Sequence, residues 1–141
     1  MISHLYSLLC ANVIIDKMTN LVSYISVISD GVTDKLPKEM PPLWLSSCWI
    51  CTKAETITFT VRVNLVSPSD KTGLIKELEV SAPKQNSSNF RRHMVNLHIN
   101  KFPVAEEGLH FFDITYKMKG NKTWKKATQI PFNVQMQPSQ N

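Results

Sequence analysis

The densest grouping of side chains that could do chemistry lies late in the chain. Lys117, Lys119, Lys122, Lys125 and Lys126 surround a polar turn, with Tyr116 and Trp124 among them. Ammonium groups neutralise phosphates and an aromatic ring offers a face to a base. The pattern could therefore hold single-stranded nucleic acid or another anionic ligand, with Trp124 as the stacking surface. The same lysines would equally keep an exposed strand edge from pairing with other chains. Arg91-Arg92-His93 is a further basic run that could extend the patch.

Other chemistry-bearing residues form weaker patterns. Cys48-Trp49-Ile50-Cys51 has the spacing of redox dithiols, which depend on a helix N-terminus to lower the first thiol's pKa. This one falls in an expected strand, where positions i and i+3 face opposite sides, so buried structural cysteines are the reading that fits. His98 and His110 lie on strands expected to be neighbours and could approach each other, but the pattern places no third metal ligand beside them. Glu106-Glu107 sits in a connector, where adjacent carboxylates are solvated and lack the raised pKa of a catalytic acid. The chain has no GxSxG elbow, and its four glycines form no phosphate loop. The sequence thus nominates no catalytic residue, no metal site and no cofactor.

The elements that must position these groups are strands. Eight prolines against four glycines, mostly set between apolar runs, cut the chain into short pieces and leave no room for long helices. The clearest strand alternates Ile57, Phe59, Val61, Val63 and Leu65 with Thr58, Thr60, Arg62 and Asn64, a period of two that a helix would scatter. Segments 4–15 and 21–28 flank the turn Asp16–Asn20 and read as a hairpin. A proline-bearing loop runs to Pro41-Pro42, ahead of a strand from Leu43 to Thr52. Leu74 to Val80 returns from the turn at 67–73 with Leu78 and Val80 inward, and 83–90 is a polar loop. Phe90 to Ile99 fits both periods, and its β-branched Val95 and Ile99 decide for strand. After a connector at 102–108 come strands at 109–118 and 124–135. Pro131 in the last of these requires a bulge or an edge.

Composition bounds the rest. A chain of 141 residues with 43% hydrophobic content can bury one core without disulfides or metal. The net charge of +5 favours anionic surfaces at long range, yet is modest for a dedicated nucleic-acid binder. Three cysteines make no disulfide framework. The first sixteen residues lack the basic start and small-residue cleavage site of a signal peptide. No run reaches the ~20 apolar residues that span a bilayer.

The segment Leu8-Leu9-Cys10-Ala11-Asn12-Val13-Ile14-Ile15-Asp16 resembles the opening strand of a family of small uncharacterised bacterial proteins, a domain of unknown function. Its members continue with a proline-containing loop, like Leu36-Pro37 and Pro41-Pro42-Leu43 here. Near the end they carry a phenylalanine-proline, a glycine and an aromatic pattern, as in Phe102-Pro103, Gly108-Leu109-His110-Phe111 and Ile130-Pro131-Phe132. Leu109 and His110 depart from it, since the family usually has a tyrosine after the glycine. The resemblance covers nearly the whole chain and implies a sandwich fold with no known activity, so it transfers no functional residue.

Residues 1–137 are therefore expected to form a single all-β domain, an antiparallel β-sandwich of about eight strands, immunoglobulin-like or C2-like, with a flexible tail at 138–141. The expected function is that of a non-catalytic binding or assembly module in a bacterial cytoplasm, away from membranes, with a protein partner or a second copy of itself. Nucleic-acid or anionic-ligand binding through Lys117, Lys119, Lys122, Trp124, Lys125 and Lys126 is the alternative.

Overall fold

Period-two alternation carries through into backbone pairing along most of the chain. The computed structural model describes residues 2–52, 55–84 and 91–137, and these form eleven strands and no helix. In order they are β1 (Ile2–Ile15), β2 (Val22–Val27), β3 (Asp30–Thr33), β4 (Lys38–Met40), β5 (Leu43–Cys51), β6 (Ile57–Val66), β7 (Thr72–Ala82), β8 (Arg91–Ile99), β9 (Phe102–Val104), β10 (Gly108–Met118) and β11 (Lys125–Met136). Phe90, most of the polar loop expected at 83–90, and the expected tail at 138–141 lie outside the described residues. No helix of the described residues is long and apolar enough to cross a membrane.

The strands assemble into a four-stranded sheet in the order β2-β1-β5-β8, a five-stranded sheet in the order β3-β11-β10-β6-β7, and a ribbon of β4 with β9. The count exceeds the expected eight because the loop after Asp30 and the connector after Phe102 contain β3, β4 and β9. Each has three or four residues, too few to show a period. Pairing is not antiparallel throughout either, since β3 runs parallel to β11. Pro131 lies on a stretch of β11 bonded only to β10, because β3 joins at Asn133 and beyond. Its missing N–H therefore costs no ladder bond there. The bulge is elsewhere, at the Ile114/Thr115 step. Leu78 shares a face with buried Val61 but is itself exposed, because β7 is an edge strand with little covering it.

The two larger sheets contribute their inner faces to one apolar cluster. Trp49 of β5 joins them, its ring 5.2 Å from Phe59 of β6 and 5.0 Å from Tyr116 of β10. Below it Phe102, Phe112 and Phe132 meet edge to face at 5.2–5.9 Å. The buried indole N–H donates to Ser47 Oγ at 3.0 Å, and Ser47 donates in turn to the Val95 carbonyl. Burying a polar group without a partner costs about 1–3 kcal/mol, and this relay avoids that penalty.

In register, Trp49 lies between His4 of β1 and His93 of β8. Burial holds both imidazoles below the ordinary histidine range. The Arg91 charge adds to the effect at His93, while the Tyr6 backbone opposes it at His4. The unfolded chain takes up these protons near pH 6.5 and the folded chain only at lower pH. Stability is thus fully present above about pH 7 and is lost as pH falls through 6.5 toward the lowered values. Thermal unfolding should show a Tm that drops between pH 7.5 and 5. His4→Gln combined with His93→Gln should flatten that drop. An equal slope in the double variant would show that these rings do not carry it.

Candidate functional site

The lysine hairpin forms as its sequence dictates, but its aromatic member is already engaged. The turn closes with the Asn121 N–H donating to the Met118 carbonyl at 3.0 Å, and Gly120 takes the φ of +87° that its third position requires. Lys119, Lys122, Lys125 and Lys126 are exposed, and Lys117 is half-buried. The Arg62 guanidinium of β6 lies 3.7 Å from the centre of the Trp124 ring, and the Lys117 ammonium lies 4.9 Å from it. Arg62 is held from its other side by Glu77 at 3.4 Å. The ring expected to stack a base thus carries the protein's own cations. Sequence reasoning placed Arg62 among the polar residues of its strand, but cross-strand register, which a single sequence does not display, brings it to Trp124.

Arg91 does not extend this patch. Its side chain is buried, with Nη2 donating to the carbonyls of Glu55 at 2.7 Å and Ala82 at 3.3 Å. It stitches the start of β8, in the four-stranded sheet, to the segment just before β6 and to the end of β7, in the sheet that carries the lysines.

The remaining candidates are dispersed. His98 and His110 are not on neighbouring strands: His98 is on β8 in the four-stranded sheet and His110 on β10 in the five-stranded one. His98 is exposed and lies against Trp44, ring centres 4.8 Å apart, while His110 is buried. Cys51 belongs to the inner apolar cluster, while Cys48 alternates to the outer face of β5. All three thiols are free and buried, and burial pushes those of Cys10 and Cys48 up, away from nucleophilic character. Hydrogen bonds from Ser69 and Ser67 hold the Glu106 carboxyl below its usual range. Glu107 accepts the Met136 N–H at 2.6 Å. Both acids thus fasten neighbouring segments of the chain.

Three features were not anticipated. On the outer face of the four-stranded sheet a relay runs Tyr6–Tyr24–Ser46–Asn96. The Ser46 hydroxyl can donate to Asn96 Oδ1 at 2.6 Å or to the Tyr24 hydroxyl at 3.2 Å. Tyr6 and Tyr24 are 3.0 Å apart. The second is the hairpin of β1 and β2. Pairing with β5 stops at Cys10, so the end of β1 pairs with β2 alone. Ile14, Ile15, Met18, Leu21, Ile25 and Val27 on this arm are each between 44% and 93% exposed. The adjacent pairs Ile14-Ile15 and Leu21-Val22 carried the signal, since neighbours in a strand face opposite sides and both sides are then apolar. The third is a groove of about 550 Å³ beside the β4–β9 ribbon, with His110 in its lining.

The Arg62–Trp124 contact can be measured. In urea denaturation, Arg62→Ala and Trp124→Leu should show a coupling of about 0.5–1 kcal/mol in a double-mutant cycle. Strictly additive effects would mean that the ring is free.

A search of curated proteins found no match to the chain. A family model described as a family of unknown function matches residues 5–137, the stretch that contains every strand from β2 to β11 and most of β1. This chain belongs to that family, DUF6941.

Proposed function

We propose that the chain is a non-catalytic binding or assembly module that grips a protein partner, or a second copy of itself, with the β1–β2 arm. We read its architecture as a single β-sandwich domain of the immunoglobulin-like or C2-like kind, working in a bacterial cytoplasm. The observation that carries the reading is the concentration of six large exposed apolar side chains between positions 14 and 27. Exposed apolar surface costs roughly 25 cal/mol per Å², which docking recovers, and a concentration of it is the mark of an interaction site. Asp16 and Lys17 are the arm's charged residues, and they sit in its turn. A membrane is the poorer occupant. The tip that would enter lipid first carries Asp16, Lys17, Thr19 and Asn20 around the single apolar Met18, and one lysine is no basic cluster for anionic headgroups. Three free cysteines suit a reducing compartment. The dispersal of histidines, thiols and carboxylates supports a role without turnover.

The test is a double substitution, Ile14→Lys with Ile25→Lys, both at exposed sites. Its thermal stability should stay close to wild type, while self-association measured by light scattering, or the protein co-purified from the native host, should be lost. A folded variant that keeps the same associates would sink the proposal.

A second reading rests on the four exposed lysines between positions 119 and 126. It expects a gel shift with a single-stranded oligonucleotide that weakens steeply with salt, the logarithmic slope near −3 if four phosphates are neutralised. Changing Lys119, Lys122, Lys125 and Lys126 to Glu should abolish the shift. With the Trp124 ring covered by Arg62, Trp124→Leu should leave it unchanged. No shift at low salt would end this reading.

A further inference from the structure

The groove beside the β4–β9 ribbon shares no residue with the arm. It opens between the Leu65–Ile75 end of the β6–β7 hairpin and the ribbon, with Pro103 and Val104 on the ribbon side. Its volume of about 550 Å³ lies within the ordinary range of small-molecule sites, roughly 300–1,000 Å³, which are mostly apolar with few placed polar groups. Leu74, 61% exposed, stands at the mouth; His110, 1% exposed, lies at the inner end.

His110 is the polar member of an inward row that continues with Phe112 and Ile114. Its Nδ1 is 3.0 Å from the Gly108 carbonyl. A carbonyl only accepts, so Nδ1 carries a proton, and in the neutral ring Nε2 presents a lone pair. Among the described residues Nε2 has no hydrogen-bonding partner, and His110 contributes to the groove's lining. The backbone is shaped for this arrangement. Gly108 has φ +124°, and a Cβ there would come 3.1 Å from Pro68. A buried imidazole fixed at one nitrogen and unpartnered at the other, in a groove whose lining surface is mostly apolar, is an anchor for one hydrogen-bond donor.

Charge at the mouth selects against ions. Lys38 is paired with Asp34 at 3.8 Å and Glu39 with Lys101 at 3.3 Å. Glu106 is bonded to Ser69 and lies near enough to Lys71 to feel its charge. With each sign balanced by the other, neither an anion nor a cation is favoured. We propose that the groove is a binding site for an uncharged, largely apolar small molecule carrying one hydroxyl, which donates to Nε2 of His110.

The test uses three probes of similar shape: 4-ethylphenol, its methyl ether 4-ethylanisole, and 4-ethylbenzoate. Binding is followed by NMR of the full chain with ¹⁵N-labelled histidine. The phenol should shift the His110 ring nitrogens saturably and bind roughly tenfold more tightly than the ether, which cannot donate, and than the carboxylate. His110→Phe, which keeps an aromatic ring in the row, should make the phenol and the ether equal. Leu74→Arg, at an exposed position, should weaken both whether or not His110→Phe folds. The proposal is overturned by the absence of a saturable shift in the wild type, by an ether or carboxylate that binds as well as the phenol, or by a folded His110→Phe that still prefers the phenol.

Discussion

Trp49 imposes the constraint around which the rest of the molecule is arranged. One indole touches both large sheets, reaching Phe59 and Tyr116 across the gap while His4 and His93 flank it within its own sheet. A ring this large fixes the local spacing of the layers, and its N–H must be satisfied where water does not reach. Ser47, two residues earlier on the same face, meets that need and passes its own proton to the Val95 carbonyl. The register of β5 against β8 is thereby pinned, because a slip of one residue would turn Ser47 and Trp49 outward together. With β5 fixed between β1 and β8, the start of β1 is fixed as well. What remains free is the end of β1 that outruns β5.

The longer strands were legible in the sequence where one face is apolar along most of their length. Ile57 to Val66 is the plainest case, with strict alternation of buried and half-buried residues. The three short strands were not legible. β3 exists because Asn133 to Met136 offers it a parallel partner, and β4 and β9 exist because they pair with each other. Those are long-range facts with no local period. The separation of His98 from His110 has the same origin. Consecutive strands pair more often than not, but here β8 and β10 belong to different sheets. The candidate site was half legible for a related reason. The lysines of the turn could be read directly, but the cation over Trp124 comes from a strand more than fifty residues earlier.

That cation alters what the hairpin can do. An arginine stacked on an indole satisfies the ring's electron-rich face, and the pairing of Arg62 with Glu77 keeps it there. For a base to stack on that face it would first have to displace a charged group from two partners. The lysines retain their long-range attraction for anions, but the Trp124 face already carries the Arg62 guanidinium.

The edges of the two large sheets sharpen the contrast with the arm. β8 begins with Arg91 and Arg92 and is tied toward β7 by the Lys76 ammonium on the His98 carbonyl, 2.9 Å away. β7 displays Lys76, Glu77 and Glu79, and β3 is only four residues long. Charge, a bridging side chain and shortness are each recognised ways to stop an edge from recruiting another strand. β2, Val-Ser-Tyr-Ile-Ser-Val, has no charge and no proline. Its irregularity is the left-handed backbone at Ser26, φ 54°, which spares Val22 to Ile25. A chain that protects three edges and leaves the fourth apolar gains nothing from that exposure in isolation. The exposure is accounted for when another surface covers the arm, and this is the ground on which we propose the arm, ahead of the charged hairpin, as the binding face.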